Sequence, residues 1–281
     1  MRKGYSIVRN VFSSKEISEI KNAIDLVRIE GEKHQSSFRD KNLMYLITPD
    51  DNLGSVLRFC QWPSYANETL EKYRTDTRFF DIIEPLIGNN VKQIINQIIW
   101  KPPGAMHTSY GFHQDARFRR PESAYRDLGN SFVQTALAID PHTAKSGCVE
   151  VLEGSHLMGN LNHHNNKSVF EEDLNMKDLK SLGLGSLPLI QLKLEPGDVA
   201  LWHPHLLHGS RSNKSAFNRR SYLNGYVKAE NCDRGEWAFK NGKPTILGEP
   251  QLVQFEGLYE RPEPHYINGA PHKIQESKPN H

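Results

Sequence analysis

Two well-separated segments of the chain carry the residue types that bind metal ions. The first is His113-Gln114-Asp115, and the second is the histidine-rich run from Trp202 to Ser210. Two imidazoles and one carboxylate hold a non-haem Fe(II) on one face and leave its other positions open for a cosubstrate and O2. Further along, Arg219 offers a planar guanidinium that can grip a carboxylate such as the far end of 2-oxoglutarate. Together these residues favour the chemistry of an oxygenase.

The first segment has the spacing of a chelating pair. On a strand or its extended end, His113 and Asp115 leave from the same face and can converge on one ion, while Gln114 points away. A His-x-Asp tripeptide alone is a weak signal, because the chain has 13 histidines. The alternative is a surface loop in which both side chains meet water.

Three histidines of the second segment compete for the third ligand position: His203, His205 and His208. Pro204 breaks the alternation of the preceding strand, so strand parity does not select among them. Gly209 and Ser210 let the backbone approach a ligand closely, whereas a buried histidine bonded to a loop carbonyl is the favoured interpretation of His203. The remaining histidines in polar loops are predicted to be solvated, namely His142 and the pair His163-His164.

The elements that position these residues follow from hydrophobic periodicity. A strand is predicted over residues 5–12, and Ser13 and Glu16 then have the spacing of a capping box that begins a helix. A second helical region is predicted from about Tyr65 to Leu86. Short β-like runs follow, separated by Gly, Pro, Asn and Ser, at 91–100, 131–139, 148–152, 187–194, 198–202 and 219–227. This spacing indicates a barrel or a double-sheet jelly roll.

Composition limits the class of protein. The 281 residues carry a formal charge of +2 without long like-charge tracts, so nucleic acid is not an expected partner. Three widely spaced cysteines fit reduced thiols, and neither a signal peptide nor a membrane-spanning apolar run is recognised, so we expect a cytoplasmic protein with no membrane partner. We expect one domain over residues 1–281, with a mobile tail from about 270 and with the polar stretches 118–130 and 157–185 as lids or substrate-binding insertions. The oligomeric state is not predicted.

In their order along the chain, several motifs resemble those of the phytanoyl-CoA dioxygenase family of Fe(II)- and 2-oxoglutarate-dependent oxygenases. The resemblance spans about residues 5 to 230. It rests on Lys101-Pro102-Pro103-Gly104, His113-Gln114-Asp115, Ser146-Gly147-Cys148 followed by Gly154-Ser155-His156, Glu195-Pro196-Gly197-Asp198, and His203-Pro204 leading to His208-Gly209-Ser210 with Asn213 and Arg219.

The resemblance implies a mainly β fold with flanking helices, a double-stranded β-helix (a cupin-like jelly roll) with iron at its open end. It assigns His113, Asp115 and His208 as iron ligands. It also implies that Arg219 and Ser210 bind the distal carboxylate of 2-oxoglutarate, with O2 as second cosubstrate, and that Gln97 contacts the cosubstrate. Strand parity agrees, because it places Arg219 on the face opposite to Arg220.

The substrate is expected to be a small or medium-sized molecule with an anionic or strongly polar group. Where the fatty-acyl enzyme of the family has a tryptophan, this chain reads Val133 to Leu137, so the pocket lining differs and a long acyl chain is not expected. By alternation, Arg117 and Arg119 continue the face of Asp115 toward the pocket. The alternative is that these arginines form surface ion pairs with Glu122, Asp127 or other acids.

Two other functions use the same residues. A divalent-metal hydrolase or isomerase on a cupin-like barrel would need the three ligands but not the arginine. A non-catalytic binding protein would keep the barrel without turnover. Dependence on 2-oxoglutarate separates the first from an oxygenase, and iron binding without succinate production would favour the second.

Overall fold

Two β-sheets form the centre of the molecule in the computed structural model, which describes residues 2–161, 176–251 and 261–267. The described strands are β1 (Tyr5–Val8), β2 (Phe38–Asp40), β3 (Leu43–Asp50), β4 (Gly54–Gln61), β5 (Val91–Lys101), β6 (Tyr110–His113), β7 (Phe132–Ala138), β8 (Val149–Leu152), β9 (Leu189–Leu192), β10 (Val199–Trp202), β11 (His208–Ser210), β12 (Arg219–Lys228), β13 (Glu236–Lys240), β14 (Lys243–Pro244) and β15 (His265–Tyr266). The described helices are α1 (Ser14–Gly31), α2 (Glu68–Arg74), α3 (Thr77–Ile87), α4 (Leu128–Ser131) and α5 (Met176–Ser181).

The larger sheet has the strand order β1-β10-β7-β12-β5-β4-β3-β2-β15, with β13 added on β5 and β14 on β13. The smaller sheet has the order β6-β11-β8-β9. Neighbouring strands pair antiparallel in both sheets. Since strands that are distant in sequence lie side by side, the connections cross between the sheets in the manner of a jelly roll.

The inner faces of the two sheets pack on each other. Side chains alternate across a strand, which turns small residues of β7 and β10 inward against apolar residues of the smaller sheet. This cluster contains Ala136, Ala138, Ala200 and Trp202 from the larger sheet and Val151 and Leu192 from the smaller one. The structure therefore confirms the predicted mainly β jelly roll with flanking helices.

The helices cover the outer face of the larger sheet. Apolar residues of α1 and α3 pack with sheet residues in one core, including Ile20, Ile24, Phe79, Ile83, Leu137 and Tyr222. Helix α1 begins with the predicted capping box, in which Ser13 Oγ accepts from Glu16 N and the Glu16 carboxylate accepts from Ser13 N. This helical layer shields the outer face of the larger sheet from water and leaves its inner face for the site.

Two predictions about the first third of the chain were incomplete. The single helical region predicted from Tyr65 to Leu86 is two helices, because Asp76 accepts from Arg78 N and starts α3 anew after α2. Strands β2 to β4 were not predicted at all. They extend the larger sheet beyond β5 and supply part of its inner face.

Other expectations lie partly outside the described residues or are not tested. The predicted mobile tail and much of the 157–185 stretch are outside them, as are His163 and His164. The expectation of one domain stays a prediction. No helix in the described part of the chain is long and apolar enough to cross a membrane.

Candidate metal and cosubstrate site

Three side chains that can bind a metal ion converge at the end of β6 in the smaller sheet. His113 ends β6 and His208 begins β11, and the two residues are direct partners in the antiparallel pair. Asp115 follows β6 at the start of a 3-10 turn, Asp115–Phe118. Ligand atoms of the three residues all lie within 4.8 Å of one another. His113 Nε2 is 4.0 Å from Asp115 Oδ1, and His208 Nε2 is 3.8 Å from Asp115 Oδ2.

Backbone carbonyls orient both imidazoles. His113 Nδ1 lies 2.7 Å from Gly111 O, and His208 Nδ1 lies 2.9 Å from Leu206 O. A carbonyl oxygen can only accept, so each Nδ1 carries the hydrogen and each Nε2 presents a lone pair to the space between the three residues. Burial, and after it the neighbouring His208, lowers the pKa of His113 to about 3. The His113 ring is therefore neutral, the form in which imidazole binds metals.

Asp115 is held by a residue of the opposite sheet. Trp202, at the end of β10, donates its indole Nε1 hydrogen to Asp115 Oδ2 at 2.9 Å, and this contact is buried. The intervening Gln114 points away, as predicted, and its Nε2 donates to His205 O at 2.6 Å and to Gly159 O at 2.9 Å. Two imidazoles and one carboxylate with fixed orientations match the donor set of a non-haem iron site.

Asp115 stands at the extended end of β6, as predicted, because Gln114 keeps extended backbone angles (φ −107°, ψ 134°) after the strand ends at His113. The 3-10 turn begins only at Asp115. The predicted continuation is therefore wrong, because Arg117 and Arg119 do not continue a strand face shared with Asp115.

The other histidines of the second segment have different surroundings. His203 Nδ1 accepts from His205 N at 3.1 Å, and its ring lies beside those of His156 and His205. Neither His203 nor His205 belongs to the converging group found among the described residues. The prediction of a buried His203 bonded to a loop carbonyl is confirmed only in part, because His203 is half-buried and hydrogen-bonds the backbone of His205 and Gly129.

His142 is not solvated, which corrects the prediction from sequence. It is 1% exposed, its backbone pairs with Leu194, and its Nε2 lies 3.1 Å from Arg220 O. Burial, with Arg219 as the next cause, keeps the pKa of His142 well below its ordinary value. The sequence around His142 looks like a polar loop, and long-range contacts with Leu194 and Arg220 bury it.

Arg219 lies between the two sheets without an acidic partner. It begins β12 opposite Lys101, is 2% exposed, and has Tyr110 and Cys148 among its neighbours. No carboxylate of the described residues lies within ion-pairing distance of Arg219, and its Nε has no hydrogen-bond partner. Burial lowers the pKa of Arg219 to about 10, which still leaves it charged at neutral pH. A buried unpaired guanidinium is suited to an anionic ligand.

Arg220 points to the opposite face, as strand parity predicts. Its Nε and Nη2 donate to the two oxygens of Asp140 at 2.7 and 2.8 Å, and its Nη1 donates to Asp25 at 2.9 Å. The bidentate pair ties β12 to the segment after β7, and the contact with Asp25 ties it to helix α1. Arg220 is therefore a structural cation, in contrast to Arg219.

Ser210 and Gln97 lie on the same side of the larger sheet as Arg219. Ser210 ends β11, and its Oγ accepts from Lys101 Nζ at 2.6 Å. Gln97 is half-buried on β5, where it pairs across the strands with Leu223 and Gln61. In the sequence Lys101 stands out only as part of the Lys101-Pro102-Pro103-Gly104 motif, and its contact with Ser210 gives it a place in the site.

Arg117 and Arg119 differ in burial. Arg117 is half-buried, stands 5.3 Å from the Phe118 ring, and contributes weakly to the lowered pKa of His113. Arg119 is 5% exposed and lies 5.8 Å from the Phe132 ring, and its Nε has no hydrogen-bond partner. The predicted surface ion pair with Glu122 is made by Arg120 instead, at 3.1 Å.

Comparisons with known proteins agree with this geometry. The phytanoyl-CoA dioxygenase family model matches residues 1–221. The chain is 24% identical over 275 residues to a probable alpha-ketoglutarate-dependent hypophosphite dioxygenase of Stutzerimonas stutzeri, covering 90% of this chain and 86% of that protein. It is 26% identical over 238 residues to the peroxisomal phytanoyl-CoA dioxygenase of Bos taurus, covering 82% of this chain and 64% of that protein.

A solved structure shares the fold. EctD from S. alaskensis with 2-oxoglutarate and 5-hydroxyectoine superposes with a TM-score of 0.63 over 90% of this chain and 80% of that chain, at 18% identity. The family model covers most of the chain, and the fold agrees with it. The chain therefore belongs to the phytanoyl-CoA dioxygenase family of iron- and 2-oxoglutarate-dependent oxygenases.

Proposed function

We propose that His113, Asp115 and His208 hold one Fe(II), and that Arg219 and Ser210, with a contact from Gln97, bind 2-oxoglutarate. The enzyme then consumes O2 and converts 2-oxoglutarate to succinate and CO2 as it oxidises a small-molecule substrate. One observation carries this proposal. Two Nε2 lone pairs and a carboxylate meet at one point, in the same molecule as a buried arginine that has no acidic partner among the described residues.

The side chains of the protein orient the bound groups and exclude water from them, and they perform no covalent step. Bound iron and its cosubstrates supply the oxidising chemistry, so no protein nucleophile or general base is needed. The carbonyls of Gly111 and Leu206 fix the two rings, and Trp202 fixes Asp115. Arg219 fixes the far end of the cosubstrate, which limits the positions that its reacting end can take.

The two alternative functions receive less support. A hydrolase or isomerase would use the triad but has no need for a buried Arg219 without an acidic partner. A non-catalytic binding protein would be expected to have lost at least one of these side chains. All three members of the triad are instead present, with Trp202 and two carbonyls holding them in place.

We propose further that the substrate is small or medium-sized and anionic or strongly polar. Arg119 supports this, because it is a buried cation whose Nε has no partner. Two amide oxygens on the inner face of the larger sheet, Gln61 Oε1 and Gln134 Oε1, are also buried without a hydrogen-bond partner, and a polar substrate could satisfy them. Hypophosphite, the substrate named for the relative from Stutzerimonas stutzeri, is itself a small oxyanion.

Turnover tests the substrate class. Succinate release should be screened with hypophosphite, phosphonates, amino acids, carboxylated natural products, nucleotide-like compounds and acyl-CoA. We expect turnover with a polar or anionic compound, and a higher KM for it in the Arg119→Gln and Arg117→Ala variants. Efficient oxidation of a neutral lipid by a fully active Arg117→Ala enzyme would refute the substrate proposal and leave the iron site intact.

A cytoplasmic location is proposed on the state of the thiols. Cys60, Cys148 and Cys232 are free and buried. Proteins of reducing compartments keep their cysteines in this form.

A further inference from the structure

Lys101 is a buried lysine with an unusual set of contacts. It ends β5 directly opposite Arg219, and its side chain is 0% exposed. Its Nζ donates to Ser210 Oγ at 2.6 Å and to Arg211 O at 2.6 Å. No carboxylate among the residues that the structure describes lies within ion-pairing distance of Nζ, although Arg219 is a neighbour.

Two buried cations side by side are costly unless an anion joins them. Burial, and after it Arg219 and Arg58, holds the pKa of Lys101 well below its ordinary value. A ligand carboxylate between the strands would offset this repulsion. Lys101 therefore adds to the preference of the pocket for an anion, although its two donated bonds are directed at protein oxygens.

The contact with Lys101 also determines the hydrogen-bonding role of the Ser210 hydroxyl. The ammonium form of Lys101, which a bound carboxylate favours, has only donors, so Ser210 Oγ accepts from it in the carboxylate complex. The hydroxyl hydrogen of Ser210 must then be donated elsewhere, and none of the described residues accepts it. The second bond, to Arg211 O, holds the backbone immediately after Ser210 and so limits the position of that hydroxyl.

We propose that Lys101 is the positioning residue for the distal carboxylate of 2-oxoglutarate. By occupying Ser210 Oγ as an acceptor, it turns the Ser210 hydroxyl into a donor for the carboxylate that Arg219 binds. This inference rests on the proposed function of Arg219 and Ser210. It predicts that replacing Lys101 or Ser210 removes the same interaction. It also predicts that only ligands with a distal carboxylate lose affinity.

Binding of two 2-oxo acids to the anaerobic Fe(II) protein tests this role. Both 2-oxoglutarate and 2-oxopentanoate have the same oxo-acid end, but 2-oxopentanoate lacks the distal carboxylate. Each is titrated while the visible charge-transfer absorption and the heat of binding are followed. The variants are Lys101→Met, Ser210→Ala and the double substitution. Lys92→Met is the matched control, since Lys92 lies on the same strand and donates to Cys232 O, at the other end of the sheet.

We expect Lys101→Met and Ser210→Ala each to raise the Kd for 2-oxoglutarate about 10- to 100-fold, the loss of a hydrogen bond to a charged group. The double variant should resemble the weaker single variant, because the two residues supply one interaction. The Kd for 2-oxopentanoate should change less than about 2-fold in all three, which is within the usual error of additivity. Lys92→Met should bind both acids like the wild type.

Two results would overturn the role of Lys101. One is a Lys101→Met variant that binds both acids equally weakly, which would make the lysine a general support of the fold. The other is a double variant whose losses multiply. If Lys101→Met does not fold, Ser210→Ala alone decides, and unchanged affinity for 2-oxoglutarate in that variant would refute the proposal. A wild-type protein that binds neither acid would instead refute the proposed function.

Discussion

At the scale of single residues, the contacts behind the triad decide how well it can hold a metal. Trp202 is the side chain that fixes Asp115, and the bond between them crosses from one sheet to the other. Supporting contacts of this kind typically change metal affinity 10- to 100-fold. Their effect can be separated from packing because the chain contains a second buried tryptophan without such a bond.

Trp202→Phe should lower the affinity for Fe(II) about 10- to 100-fold, because Asp115 loses the donor that orients it. Trp100→Phe is the control, since Trp100 is equally buried and its Nε1 has no hydrogen-bond partner. Anaerobic titration with Fe(II) measures both variants. Equal iron affinity in the Trp202 variant and the wild type would show that the indole bond does not organise the site.

Arg219→Leu should weaken 2-oxoglutarate binding about 30- to 1000-fold, since a charge-assisted pair in a dry pocket contributes roughly 2 to 4 kcal/mol. Arg220→Leu should leave that affinity unchanged but lower the free energy of unfolding by about 3 kcal/mol, because Asp140 loses its buried partner. Cosubstrate titration and urea denaturation of both variants test this contrast. If the two arginines exchange these effects, their assignment to the two faces is wrong.

At the scale of elements, features that depend on neighbouring residues could be predicted from the sequence, and features that depend on distant strands could not. The capping box of Ser13 and Glu16 is a property of four consecutive residues, so the start of α1 could be predicted. Strand β4 bends at Arg58, where the pairing moves from Leu57 to Phe59 and leaves Arg58 as the extra residue. Such a bulge depends on the partner strand, so neither β4 nor the approach of Arg58 to Lys101 could be predicted from sequence.

Behind the proposed cosubstrate site, the loop that contains Gly147 packs closely on the backbone of Arg211. Gly147 has a φ of 72°, and a Cβ there would lie 2.2 Å from Arg211 O, the acceptor of Lys101. Gly147→Ala should therefore cost about 2 to 4 kcal/mol of stability, from backbone strain and overpacking together, and should also weaken 2-oxoglutarate binding.

Gly154 provides the matched control. It has a similar φ of 86°, but a Cβ would meet nothing within 4 Å. Gly154→Ala should thus cost only the backbone strain, about 1 to 2 kcal/mol, with normal cosubstrate binding. Urea denaturation and cosubstrate titration compare the two, and equal losses in both variants would contradict the role of the Arg211 contact.

At the scale of the whole molecule, buried neutral histidines make the metal-free protein sensitive to acid. Burial lowers the pKa of His113 to about 3 and that of His203 to about 4, below the ordinary value of 6.5. Between these values and pH 6.5 the unfolded chain binds more protons than the folded one, so stability falls as the pH falls through this window. His113 alone should contribute about 1 kcal/mol of loss at pH 5.5.

Urea denaturation of the metal-free protein at pH 7.5 and pH 5.5 measures this effect. We expect the free energy of unfolding to be lower at pH 5.5. Glu16, whose pKa is lowered from 4.5 to about 2, does not affect this comparison, because both values lie below pH 5.5. Equal stability at the two pH values would mean that these histidines are not buried in their neutral form.

The candidate site was predictable in its residue types more than in its geometry. His113, Asp115, His208 and Arg219 follow from chemistry, spacing and resemblance, and the fold brings the first three together. The 3-10 turn that begins at Asp115 and the burial of His142 depend on contacts between distant segments. The proposed substrate end was least predictable, because Gln61, which we propose to face the substrate, comes from a strand that the sequence did not reveal.

The most direct test of the central claim is the iron content of four proteins after anaerobic loading with Fe(II). The wild type should bind one Fe(II) per chain and develop the charge-transfer absorption with 2-oxoglutarate. His208→Ala and Asp115→Ala should stay folded, lose the iron and show no such absorption, while His203→Ala should retain both. Unchanged iron content in the first two variants, or loss of iron only in the His203 variant, would contradict the assignment of His113, Asp115 and His208 as the iron site.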